Sequence, residues 1–153
     1  MKILLLGEFS GLHSNLKQGL SALGHEVTLA GGGDGFKKIP VDINFDVDGV
    51  GFIKNLQRKI LPFAYLPIFG GYDIVQLINP FAIFDFHAIA KPELKLFFAR
   101  LFFNTLMQRN NKFFMLAAGD DAFFWRHSRN EMRYCPFDDF LIYDLKMTSF
   151  LYD

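Results

Sequence analysis

Two short segments carry residue types that do chemistry where a strand gives way to a loop. The first is Gly7-Glu8-Phe9-Ser10-Gly11-Leu12-His13, a glycine-hinged stretch ahead of a helical pattern. Backbone N–H groups of Gly11 and its neighbours at a helix start favour an anion by about 0.3–1 kcal/mol. His13 adds a donor or a proton near neutral pH. The plainer reading is that Gly7 and Gly11 shape a turn and His13 is a solvated histidine at a helix start. The second segment is Gly119-Asp120-Asp121, two adjacent carboxylates after an apolar run. Such a pair accepts hydrogen bonds, holds a divalent ion or caps a following helix. No histidine or further carboxylate stands at ligand spacing, so no metal is expected. Asn79, just before Pro80, is either a rim residue of the same kind or a plain strand stop.

Known phosphate cradles do not fit the first segment. The dinucleotide fingerprint needs G-x-G-x-x-G and an acid about twenty residues on. Here Phe9 occupies the place where the backbone must approach a pyrophosphate, and Asp34 falls only within the turn after the second strand. No Gly-Lys-Ser/Thr follows either, which excludes a P-loop. No cofactor is expected.

The elements that must position these residues alternate between two periods. Residues 2–6 are apolar throughout, as in a strand buried on both faces. Residues 13–23 carry Leu16, Leu20 and Leu23 at helical spacing, with Ser14 or Asn15 available as a cap and Gly24 as the stop. Val27–Ala30 reads as a second strand, completing a βαβ unit, which is parallel in nearly all known cases. The same reading gives a short strand near 41–45, a helix over 52–61 stopped by Pro62, a strand over 73–78, a long helix over 93–109 and a strand over 112–117. Loop and helix follow. The alternation implies an α/β fold with a Rossmann-like parallel sheet and helices on both faces.

Composition narrows the partners. The chain has 153 residues, zero formal net charge and one cysteine, Cys135. Balanced charge removes the electrostatic case for nucleic acid. A lone cysteine permits no internal disulfide and suits a reducing, cytoplasmic location. No unbroken apolar run of about twenty residues, as a spanning helix needs, is present. Most of the 20 phenylalanines are expected in core and interdomain surfaces. Residues 91–112 hold five cations, one acid and four phenylalanines. Such a basic, aromatic helix either rests peripherally on an anionic membrane or packs between the sheet and another helix.

The opening MKILLLGEFSGLHSNLKQGLSALGHEVTLA resembles the start of the GT-B glycosyltransferases of the large retaining group called family four. Leu20-Ser21-Ala22-Leu23-Gly24-His25-Glu26-Val27 matches that family's L-x-x-x-G-H-x-V. GGYDIVQLINP resembles its D-[IV]-[IV]-H strand, with Gln76 where histidine is common, and NKFFMLAAGDD resembles a later strand ending in an acidic turn. The family's Glu-x7-Glu motif is missing, since no two of Glu8, Glu26, Glu93 and Glu131 are eight apart. The resemblance therefore implies that residues 1–153 are one Rossmann-like domain, the N-terminal, acceptor-side half of a longer hexosyltransferase. The partner domain that grips the nucleotide-sugar donor would be missing, and the fragment alone would be inactive. It implies substrate contacts at Phe9, Ser10, Gly11, Leu12, His13, Asn79, Gly119, Asp120 and Asp121, no protein nucleophile, and a sugar or glycolipid acceptor for surface polysaccharide synthesis. Apolar surface left uncovered would promote self-association. Two alternatives remain: a non-catalytic Rossmann-like regulatory module, and a small flavodoxin-like nucleotide or flavin binder.

Overall fold

Five apolar residues in a row have no polar face to offer water, and Lys2–Leu6 accordingly forms β1, the central strand. The computed structural model describes residues 1–46, 51–78, 92–118 and 122–133. Helix α1 (Leu12–Ala22) and strand β2 (Glu26–Gly31) follow β1. Next come β3 (Ile43–Asn44), α2 (Phe52–Tyr65), β4 (Ile74–Ile78), α3 (Pro92–Arg109), β5 (Lys112–Leu116) and α4 (Ala122–Glu131). Single 3₁₀ turns occupy Gly35–Lys37 and Leu66–Ile68.

All five strands are parallel, in the order β3-β2-β1-β4-β5. This is the Rossmann-like order, in which the chain leaves β1 first to one side and then to the other. Register runs from Lys2↔Glu26 to Leu6↔Ala30 against β2, and from Ile3↔Ile74 to Leu6↔Leu77 against β4.

Period-two alternation divides the apolar residues between the two faces. Leu4, Leu6, Val75 and Leu77 meet Phe45, Phe69, Phe102 and Leu106, with Phe63 and Tyr65 of α2 against them. Ile3, Leu5 and Leu29 pack against Leu16 and Leu20 of α1. Helices therefore cover both faces. A buried Phe such as Phe69 or Phe102 gains about 1.5–3 kcal/mol from leaving water.

The expected elements form, with shifted ends. Gly11, not Ser14 or Asn15, is the N-cap of α1, and no side chain of the cap residue bonds there. Helix α2 runs through Pro62 to Tyr65 instead of stopping before it. The proline ring is fully buried, and that burial offsets the backbone bond the ring removes. The aromatic surplus is only partly interior: Phe36, Phe52 and Phe97 are exposed.

The chain divides into two compact units, Met1–Leu116 with the sheet and a second that starts at Ala117 and contains α4. Among the described residues, no helix is long and apolar enough to cross a membrane.

Candidate functional site

Parallel strands place all their carboxyl ends on one rim, and ligands of open α/β sheets sit where the strand order reverses. Here that point is the carboxyl end of β1, between β2 and β4. The chain leaves β1 through Gly7, whose φ of 84° belongs to the left-handed region that favours glycine. Its N–H donates to Ala30 O at 2.8 Å, which holds the β1 exit against β2. Gly31 sits so close that a Cβ there would lie 3.2 Å from Gly7 Cα.

Beneath the loop, His13 is fully buried. Its Nδ1 lies 2.7 Å from Gly7 O, a pure acceptor, so Nδ1 carries the proton. Nε2 is then free to accept from Gln76 Nε2 at 3.4 Å. Gln76 pairs with Leu5 in register, which places it on the α1 face. Burial lowers the His13 pKa from its ordinary 6.5, against the opposing pull of the Gly7 carbonyl and the Glu8 carboxylate. The ring is thus neutral, wired on both sides, and holds the loop from below. It is not the solvated helix-start histidine of the plainer sequence reading.

Glu8 decides what the helix terminus can bind. Its side chain is buried, and Oε2 accepts the Ser14 N–H at 2.8 Å in the first turn of α1. Among the described residues Oε1 has no partner. The position a ligand phosphate would take is therefore already filled by the protein's own carboxylate. A second negative charge about 4 Å away would meet repulsion of about 4 kcal/mol at an effective dielectric of 20, more than the helix terminus returns.

Above the rim, the β1 and β2 loops are latched together. Asp34 Oδ2 accepts the Ser10 N–H at 2.8 Å, and Lys37 Nζ donates to Asp34 Oδ2 and to Ser10 Oγ, both at 2.7 Å. The Lys37 hydrogen bond holds the Asp34 carboxyl below its usual range, with the Ser10 amide acting in the same direction against modest burial. Lys37 Nζ also stands 5.8 Å from the Phe9 ring centroid and 5.8 Å from that of Phe36. Phe9 is 47% exposed and Phe36 90% exposed. Phe9 O accepts the Leu12 N–H at 3.0 Å as α1 begins, and Leu12 itself is exposed.

Of the residues singled out from sequence, Phe9, Ser10, Gly11, Leu12 and His13 share this rim and its floor. Asn79, Gly119, Asp120 and Asp121 lie outside the described residues. Sequence reasoning missed Glu8, Asp34, Phe36, Lys37 and Gln76. Asp34 had a signal, because it lies near the spacing of the acid that follows the second strand of a dinucleotide fold. Phe36 and Lys37 had none. Among the described residues, no group of three or more His, Cys, Asp or Glu stands together to hold a metal. Searches against family models, curated proteins and solved structures return no match.

Proposed function

We propose that this chain is the acceptor-side domain of a nucleotide-sugar-dependent, retaining glycosyltransferase that builds a surface polysaccharide or glycolipid at the cytoplasmic side of a membrane. The observation that carries the reading is how the L-x-x-x-G-H-x-V segment folds. Gly24 has φ 82°, its N–H donates to Ser21 O at 3.0 Å, and the His25 N–H donates to Leu20 O at 3.1 Å. That is a Schellman closure: it ends α1 and turns the chain into β2, parallel to β1. The spacing of leucine, glycine and valine that carries the family resemblance is thus the spacing this βαβ unit needs.

The rim chemistry supports an acceptor rather than a donor role. Glu8 disfavours a diphosphate at α1, which leaves the donor's phosphates to a second domain. The loop offers hydrogen-bonding groups suited to hydroxyls, and no nucleophile is required of it. Lipid-linked acceptors would bring the domain to a membrane surface, and the exposed Leu94, Phe97 and Leu101 of α3, beside Arg100, are proposed to face it. The same apolar residues would favour self-association if left uncovered.

The test is nucleotide-sugar turnover by the polypeptide that joins this chain to a donor-side domain, comparing Gly11→Trp with the parent. Gly11 has φ 83° and stands at the start of α1, so an indole there strains the loop and fills the rim. Turnover is expected to fall at least tenfold. Equal turnover removes the loop from the site, and a yellow cofactor bound on purification would replace the reading with a flavin binder.

A further inference from the structure

Beyond assigning the domain, the β1 and β2 loops carry a feature that the acceptor reading does not by itself require. We infer that Phe9, Asp34, Phe36 and Lys37 form a platform for a neutral carbohydrate ring; the choice of ligand class rests on the acceptor-side reading above. Among the described residues, the non-glycine positions with positive φ are Ser10 (53°), Asp34 (59°) and Lys38 (46°). All three belong to these two loops. Strained backbone persists only where surrounding structure over-determines it, and it gathers at functional sites. The over-determination here is the Ser10–Asp34–Lys37 latch.

The latch presents two phenyl rings to water. Phe36 gains nothing for the fold at 90% exposure, and Phe9 is half open beside it, with the Lys37 ammonium near both rings. Exposed aromatic faces at a ligand-binding rim stack on the C–H face of a sugar ring. Polar groups sit at their edge. Lys37 has three N–H donors and directs two of them to Ser10 and Asp34, so one remains. Asp34 uses only Oδ2 in these bonds. A donor and an acceptor side by side match neighbouring hydroxyls of a pyranose.

Charge selects a neutral ligand. The local carboxylates of Glu8 and Asp34 offset Lys37, and a phosphate taking the remaining Lys37 N–H would lie beside the Asp34 carboxylate 2.7 Å from that ammonium, which repels it. A nucleobase also stacks on phenyl rings, and its edge can pair with a donor and an acceptor side by side, so uridine is the control that separates the two ligand classes. The pyranose uses rings and polar edge together.

Saturation-transfer NMR on the 153-residue chain tests this with four probes: the methyl α-glycosides of glucose, galactose, mannose and N-acetylglucosamine. Transfer to at least one is expected, falling fivefold or more in Phe36→Ala and in Phe9→Ala. Ile53→Ala, a smaller loss of exposed carbon on α2, is expected to leave it unchanged. Phe36 and Ile53 are exposed, so neither variant threatens folding. Transfer to none of the four overturns the proposal, as does transfer unaffected by both phenylalanine variants. Uridine binding that depends on Phe36, without glycoside binding, also overturns it. The measurement needs neither donor nor turnover, so it succeeds or fails separately from the transferase reading.

Discussion

The two faces of the sheet are built to different ends. Under α2 and α3, aliphatic strands meet a cluster of rings, with Phe63 and Phe102 edge-to-face at 5.6 Å and Phe102 and Phe103 at 5.4 Å. Polar links there lie at its margin, with the Tyr72 hydroxyl 3.3 Å from Thr28 Oγ1 and Asn110 Nδ2 donating to Phe69 O at 2.8 Å. Under α1 the apolar cluster is smaller, and it shares its space with His13 and Gln76. Carbon against carbon is strong but indifferent to small shifts in direction. Hydrogen bonds add less net energy yet fix distance and angle. The ring-rich face supplies the bulk of the stability, and the α1 face holds the loop at the β1 exit.

The largest expected effect breaks the ring-rich face alone. Phe102→Ala should lower the unfolding free energy by about 3–5 kcal/mol, as for other phenylalanines removed from well-packed cores. The amide NMR shifts of residues 7–13 should stay in place. A loss below about 1 kcal/mol, or movement of the loop, would mean that the two faces are not separable.

Next comes the polar face. His13→Leu strands the Gly7 carbonyl and the Gln76 amide and should cost about 1–3 kcal/mol, the penalty for buried groups left unpaired. It should also remove a pH dependence. The folded-state pKa of His13 lies below its ordinary 6.5, so the unfolded chain takes the proton first. Stability is complete above that value and declines as pH falls from it toward the folded value. Urea midpoints at pH 7.5 and 5.5 should differ in the parent and differ less in His13→Leu. The lowered pKa values of Asp34 and Asp42 act further down the scale. An unchanged pH difference would clear His13 of the role.

This contrast was only half visible in the residues. Strands and helices were legible because apolar periodicity reports them directly: 2–6 as an unbroken run, and Leu16 and Leu20 one turn apart. So was the parallel order, since βαβ units admit few alternatives. The ends were less legible. Pro62 reads as a stop, and only its burial in three dimensions lets α2 continue. The site was least legible of all, because it depends on pairs far apart in the chain: Gln76 with His13, Asp34 with Ser10. Spacing along one segment carries no trace of such partners. Glu8 stands in plain view of the loop, yet whether it points to solvent or into the helix terminus is a question of backbone direction that composition does not answer.

A smaller effect sharpens the comparison at the point where backbone, not side chain, makes the contact. In Gly31→Ala the new methyl would lie 3.2 Å and 3.3 Å from Gly7 Cα and C, and 3.4 Å from Glu8 N. Backbone gives way less readily than a side chain, so a loss of about 1–3 kcal/mol is expected. The displaced β1 exit should also disturb the Glu8–Ser14 bond, which hydrogen exchange at the Ser14 amide reads. Normal exchange would show that the loop tolerates a shift and is not held as tightly as its bonds suggest.

The smallest effect concerns a charge pair at the edge of the α1 face. Lys17 of α1 pairs with Asp42, the two side chains being 29% and 41% exposed. The same carboxylate accepts the Leu29 N–H through Oδ2 at 2.7 Å, while the Asp42 N–H returns to Leu29 O at 2.8 Å. Burial works against the Asp42 charge, and the Leu29 amide and Lys17 together outweigh it, leaving the pKa below its usual value. Lys17→Met removes only the solvent-screened ion pair and should cost less than about 1 kcal/mol. Asp42→Ala also orphans the part-buried Leu29 amide within β2 and should cost about 1 kcal/mol more. If the two variants are equal in denaturant midpoint, the ion pair and not the backbone bond fixes this edge. In that case the rule that hydrogen bonds to the main chain set geometry on the α1 face would fail where it is easiest to measure.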